Sequence, residues 1–400
     1  MNQKICVTGI GIISAIGDNV EQTLDSVRTG KSGIGALNHI ATRHKNDIPI
    51  GEVKHTNQEL MQILGLPTDT IITRTTLLGM MAAKEAFVWA GIKDVKEFRT
   101  GIISATSVGG MSVTEINYKD YLNPETKGDF LKYIETHDCG DSSEVIANFL
   151  GIKDHISTIS TACSSSANSI MLGARLIKNN ILDRVIVGGT DSLSKFTING
   201  FMTLMILDKE QCKPFDAERK GLNLGEGAGY IVLESERAAG GKEILCELTG
   251  YGNSNDAYHQ TASSPTGEGA YLAMEKAFKV SGLKPENIDY INAHGTGTEV
   301  NDMSEGTAIE RIFNNKVPKI SSTKAFTGHT LGACGGIEAV LSVLAIKYNM
   351  VYPSLNHKNQ MSELKFTPNK ELTTDQPINN VLSNSFGFGG NSAALIFSRH

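Results

Sequence analysis

Four side chains in this 400-residue sequence have the chemistry and the setting of a reaction centre: Cys163, His294, Lys324 and His329. Cys163 lies in Ile156-Ser-Thr-Ile-Ser-Thr-Ala-Cys-Ser-Ser-Ser-Ala-Asn-Ser-Ile, where a β-rich run gives way to small residues and then a helix. A thiol at such a turn faces bare backbone N–H groups and the positive end of a helix, which lower its pKa and favour the thiolate. The same N–H groups can bind an oxyanion, and the small neighbours leave room for a substrate. The competing interpretation is a buried thiol used as a small hydrophobe, which suits Cys6 and Cys246 in strand-like runs. Cys334, in Gly-Ala-Cys-Gly-Gly, is a weaker candidate nucleophile.

His294 follows the short apolar run Tyr290-Ile-Asn-Ala and precedes Gly-Thr-Gly-Thr. That is the carboxyl end of a strand, where α/β proteins place their sites. Lys324 and His329 share Ser321-Ser-Thr-Lys-Ala-Phe-Thr-Gly-His-Thr-Leu-Gly, also rich in Gly and Thr. Each His taken singly could equally be structural. Neither has a His or carboxylate four residues on, so no metal is expected. No G-x-x-x-x-G-K-[ST] phosphate loop occurs, and Gly9-Ile-Gly-Ile-Ile-Ser lacks the third Gly of the dinucleotide fingerprint.

The elements that would position these residues alternate between types. Strands are expected at 4–13, 100–105, 183–188 and 227–233, and helices at 75–90 and 165–179, so the class is α/β. Two stretches resemble each other: Ile5-Cys-Val-Thr-Gly-Ile-Gly and Leu245-Cys-Glu-Leu-Thr-Gly-Tyr-Gly. Gly-rich turns leading into strands recur at Gly225 and Gly387. A duplicated fold would give this pattern, with halves 1–240 and 241–400 and a seam at 237–242.

Composition is that of an ordinary globular protein, 40% hydrophobic and 20% charged, with net charge −6. There is no basic excess for nucleic acid or a membrane surface. No signal-peptide pattern and no run of 18 apolar residues occur, so a cytoplasmic protein is expected. The six cysteines have no C-x-x-C pairing and are expected to be free thiols.

Together, T-A-C163-S-S-S, N-A-H294-G-T-G-T, S-S-T-K324-A-F-T-G-H329 and the closing N-S-F-G-F388-G-G-N resemble the elongating β-ketoacyl-acyl-carrier-protein synthases, in order and spacing across nearly the whole chain. The resemblance implies the thiolase fold, two similar halves in five αβαβα layers. It also implies decarboxylative Claisen condensation of malonyl-carrier protein with an acyl group on Cys163, in fatty acid or polyketide synthesis. His294 and His329 would stabilise the enolate, Lys324 would act electrostatically with Glu338 as partner, and the N–H groups of Cys163 and Phe388 would hold the tetrahedral oxyanion. Phe388 would be a mobile gate. Thr296, Thr298 and Thr261 would bind the pantetheine arm, and Val108 would line the acyl pocket and favour medium to long chains. Asp302 and Glu305 are supporting or surface acids. No cofactor is implied. The partners would be acyl carrier protein and a second subunit, either the same chain or a chain-length-factor-like one.

Two features depart from the family pattern. The stretch 68–84 carries Arg74 as its one base before Lys84, where the family has a denser basic cluster for the carrier; Lys209, Lys213, Arg219 and Lys220 read as a solvated charged loop, with substitution for that cluster as the alternative. Gly389-Gly-Asn391-Ser replaces the usual G-G-T-N. The alternatives are a non-catalytic chain-length-factor-type subunit, a thiolase acting on acyl-CoA, or a cysteine hydrolase.

Overall fold

A computed structural model describes residues 3–314, 316–374 and 376–400. Its strands are β1 Ile5–Ser14, β2 Thr100–Ala105, β3 His155–Ile159, β4 Arg184–Asp191, β5 Gly227–Ser235, β6 Cys246–Asn255, β7 Tyr290–Asn292, β8 Lys319–Ser321, β9 Asn380–Phe386 and β10 Asn391–Ser398. The sheet order is β3-β2-β4-β5-β1-β6-β10-β9-β7-β8. Cut between β1 and β6, it becomes two five-stranded sheets of one topology. In each half the second strand runs parallel to the third and fourth, the fifth is antiparallel to the fourth, and the first is antiparallel to the fifth. The halves join through Cys6 and Val7 against Glu247 and Cys246.

The duplication extends to single residues. Thr8-Gly9-Ile10-Gly11 and Thr249-Gly250-Tyr251-Gly252 occupy equivalent positions, and the register of each half shifts at the threonine. A Cβ at Gly9 or Gly11 would lie 2.3 or 2.1 Å from the carbonyl oxygens of Ala86 and Ala82. At Gly250 and Gly252 it would lie 2.5 or 2.2 Å from those of Ala277 and Ala273. Glycine therefore lets the helices Arg74–Trp89 and Glu268–Ser281 lie directly on their sheets.

Three apolar cores follow from the layering. The outer ones lie under those two helices, built on Leu77, Leu78 and Ala82 in one half and Ala273, Met274 and Phe278 in the other. The central core packs the helices Ser165–Lys178 and Cys334–Tyr348 between the sheets. The result is the five-layered, thiolase-like α/β arrangement. The stretch Leu331–Tyr348 is long and apolar enough to span a bilayer, but it is buried as this central helix. Boundaries fall within a few residues of the sequence reading. β4 runs past the expected 188 to Asp191.

Candidate active site

Cys163 sits between β3 and the helix Ser165–Lys178, in a sharp turn where Ala162 adopts φ 53°. A left-handed alanine costs on the order of 1 kcal/mol or more, and local hydrogen bonds hold it there. Ser165 Oγ donates to Ala162 O at 2.5 Å, Thr161 N donates to Ser165 Oγ at 2.7 Å, and Ser107 Oγ donates to Ala162 O at 3.1 Å. No side chain caps the following helix. The backbone N–H groups of Phe388 and of Cys163 itself are turned on the sulfur. Gly387 permits that approach, since a Cβ there would lie 2.9 Å from Thr161 O and 3.1 Å from Cys163 N.

The expected depression of the thiol pKa is corrected by the structure. Burial pushes Cys163 up to about 11, against the pull of the Lys324 charge and the Phe388 N–H. At 6% exposure, desolvation outweighs the local dipoles. The resting sulfur is therefore a thiol. Alkylation of Cys163 by iodoacetamide should rise about tenfold per pH unit from pH 7 to 9, following the thiolate fraction. A rate that levels off near pH 7 would show a depressed pKa instead.

His294 and His329 meet from the C-terminal half, their rings edge to face at 5.4 Å between centroids. Their tautomers follow from their partners. Leu331 N donates to His329 Nδ1 at 3.0 Å, so the proton lies on Nε2. Lys324 Nζ lies 3.2 Å from His294 Nδ1 and is ion-paired to Glu338, which puts the His294 proton on Nε2 as well. Burial opposes the Lys324 charge, but Glu338 more than offsets it and raises the pKa. Burial, followed by the Lys324 charge, holds His294 well below its ordinary value and lowers His329 to about 3. Both rings are neutral Nε2 donors at physiological pH.

His294, Cys334 and Glu338 place their donor atoms within 4.8 Å of one another, in the manner of a metal cage. The Lys324 ammonium, bonded to two of the three, already supplies the cation there. Cys334 Sγ donates to Cys163 O at 3.0 Å.

Cys163, His294, His329 and Phe388 line one channel of about 320 Å³, as do Thr261, Thr296 and Thr298. The Phe388 ring stacks on Phe201 at 5.8 Å, and its loop is tied by Gly389 N to Gln260 O at 2.7 Å and by Asn255 Nδ2 to Gly389 O at 2.8 Å. Val108 is not part of this lining. It packs in an apolar cluster with Leu193, Leu222 and Leu331, beside Phe201 and Ile206.

Asp302 and Glu305 are both fully buried, which excludes a surface role. Glu305 accepts from the N–H groups of His294 and Gly295 at 2.9 and 2.7 Å, fixing the strand end that carries the imidazole. The Asn391 of the unusual G-G-N-S also has a place. Its Oδ1 accepts from Ser164 Oγ at 2.7 Å, Asn168 Nδ2 at 2.9 Å and Asn253 Nδ2 at 3.0 Å, tying the end of the Phe388 loop to the nucleophile helix. Arg74 is buried against Glu226, 2.6 Å away, and is no surface base. Sequence reasoning missed Glu226, Phe201 and Asp191. Each acts through partners distant in the chain, with no local motif to mark it.

A fold with two equivalent halves, and a thiol facing two neutral imidazoles across one channel, defines a condensing-enzyme architecture. The beta-ketoacyl synthase N-terminal domain model matches residues 2–239 and the C-terminal domain model matches 245–358, so the chain belongs to the β-ketoacyl synthase family. A 3-oxoacyl-[acyl-carrier-protein] synthase 2 from Staphylococcus aureus is 35% identical, over 100% of this chain and 99% of the relative. Among solved structures, the ishigamide ketosynthase/chain length factor aligns with TM-score 0.92 and 29% identity over 100% of both chains. The ketosynthase ApeO, solved with its chain length factor ApeC from Xenorhabdus doucetiae, aligns with TM-score 0.84 and 30% identity, over 100% of this chain and 98% of that one.

Proposed function

We propose that this protein is a β-ketoacyl-acyl-carrier-protein synthase acting by decarboxylative Claisen condensation. The observation that carries the reading is the pair of neutral Nε2–H donors sharing a channel with Cys163. The sulfur attacks the acyl thioester, the bond to the pantetheine sulfur breaks, and the carrier thiol leaves with a proton. Malonyl-carrier protein then binds in the same channel. Its C–CO₂ bond breaks, the electron pair moves onto the thioester oxygen, and His294 and His329 hydrogen-bond that enolate. The carbanion attacks acyl-Cys163, the oxyanion rests between the N–H groups of Cys163 and Phe388, and collapse expels the Cys163 sulfur. Burial, aided by the Lys324 charge, keeps both rings neutral, and Lys324 orients His294. Thr261, Thr296 and Thr298 line the path that the pantetheine arm takes, and Phe388 gates it. Every group these steps use belongs to the chain or its substrates, so no cofactor is needed.

A thiolase would need a second thiol at the reacting atoms. Cys334 instead spends its S–H on the Cys163 carbonyl and lies outside the channel lining. The test is reconstitution: acyl-carrier protein should load Cys163, and malonyl-carrier protein should then yield one β-ketoacyl-carrier protein and one CO₂ per acyl group. Loading followed by hydrolysis, without chain extension, would sink the reading.

The partner is an acidic acyl carrier protein. With Arg74 buried, the bases near the channel mouth must receive it. Arg219 is occupied by the carbonyls of Asp216, Thr298 and Glu299, and Lys213 is paired with Glu210. Lys220 is exposed and lines the mouth. Lys220→Glu is expected to raise KM for carrier-bound substrate about tenfold with kcat little changed. An unchanged KM would move the docking surface elsewhere.

A second subunit fits the apolar face formed by Ile116, Tyr118, Tyr121, Leu122, Leu131 and Ile134, all more than half exposed. The half-buried edge strand β3 offers a further surface. The partner is the same chain or a chain-length-factor-like subunit. The six free thiols fit the reducing cytoplasm.

A further inference from the structure

We propose that Asp191 is a positioning residue for His329, acting across the two halves of the fold through the turn Thr330-Leu331-Gly332. It stands at the end of β4 in the N-terminal half and is fully buried. One carboxylate oxygen accepts from Thr106 Oγ1 at 2.5 Å, Ser107 N at 3.1 Å and Val108 N at 3.2 Å. The other accepts from Ser107 N at 3.0 Å and from Gly332 N at 2.7 Å. All of these donors are neutral. Burial raises the carboxyl and these donors oppose it, for a net value of about 6.

The bond to Gly332 is the one that reaches the chemistry. Leu331, immediately before it, adopts φ 53°, an unfavourable conformation for a branched side chain. Between the fastened backbone of His329 and the held Gly332, Leu331 N–H points at His329 Nδ1 at 3.0 Å. The backbone of His329 is separately fastened, its N donating to Asn223 O at 2.7 Å and its O accepting from Gly225 N at 2.9 Å. The ring's tautomer and tilt are thus set by Leu331, and Leu331 is held in a strained turn by the grip of Asp191 on the next residue. Without that grip the turn can relax, the N–H leaves Nδ1, and the proton is no longer confined to Nε2.

The inference rests on His329 being an enolate donor. The experiment therefore measures two half-reactions in the full-length protein: acyl loading of Cys163 and CO₂ release from malonyl-carrier protein. Asp191→Asn weakens the grip from one side. Gly332→Ala weakens it from the other, because its Cβ would fall 2.6 Å from Ser107 Oγ and 2.8 Å from the Asp191 carboxylate. For Asp191→Asn the expected result is a fall of about 10- to 100-fold in kcat for CO₂ release, with KM and acyl loading within about threefold of wild type; Gly332→Ala also crowds the Ser107 hydroxyl that holds the Ala162 turn, so there CO₂ release should fall at least about tenfold more than loading. If Asp191→Asn fails to fold, Gly332→Ala decides alone. Normal CO₂ release, or equal loss in both half-reactions, would overturn the inference. A wild-type protein that releases no CO₂ would instead overturn the role of His329 itself.

Discussion

Cys163→Ala is expected to abolish the acyl-protein adduct and lower condensation by about 10⁴-fold or more, the scale seen when a covalent nucleophile is removed. It should nonetheless leave CO₂ release from malonyl-carrier protein in place. The separation follows from the geometry. Acyl transfer needs the sulfur, whereas loss of CO₂ needs only the two imidazole donors, which reach the channel from the other half of the molecule. Cys334 cannot substitute. It is buried, burial and Glu338 raise its pKa well above the ordinary thiol value, and its S–H is committed to the Cys163 carbonyl. Mass mapping of the loaded protein provides the check. An adduct on any other cysteine, or condensation surviving in the variant, would contradict the assignment of the nucleophile.

What the sequence disclosed and what it withheld divide along physical lines. The T-G-x-G repeat was legible because close helix-on-strand contact leaves no alternative to glycine, so the requirement is written in residue type. Cys163, His294, Lys324 and His329 were legible only together: the small, Gly-rich surroundings of each left a structural role open, and the order and spacing of the four motifs singled them out. The thiol's pKa was not legible. Local dipoles favour a thiolate, but the desolvation that defeats them comes from the assembled core. That Arg74, the one base of its stretch before Lys84, is buried in an ion pair was not legible, because its partner Glu226 lies 152 residues away. Asp191 carried no mark at all, since its bond to Gly332 spans 141 residues and joins two halves that only folding brings together. Val108 packs in the apolar cluster beside Phe201 and Ile206, which themselves line the channel.

His329→Ala is expected to slow CO₂ release about 10²- to 10³-fold, the effect of removing one preorganised oxyanion donor, while acyl loading of Cys163 stays near the wild-type rate. The ring is neutral and donates from Nε2, so its contribution lies in holding charge that appears only as CO₂ departs. Two pH signatures accompany it. With the folded-state pKa lowered to about 3, His329 does not titrate between pH 5 and 8, and the wild-type decarboxylation rate should show no inflection from it there. Stability behaves differently. The unfolded imidazole takes up a proton below about pH 6.5 and the folded one refuses it, so the site weakens the fold as pH falls from 6.5 toward 3, by about 1.4 kcal/mol per unit. His294, lowered by burial in the same sense, adds to that loss. The variant sheds the His329 share, and its melting temperature should therefore drop less steeply with acid than that of the wild type. A variant that decarboxylates at the normal rate removes His329 from the chemistry. One that melts with the full acid sensitivity of the wild type shows that the imidazole was not held neutral by the fold.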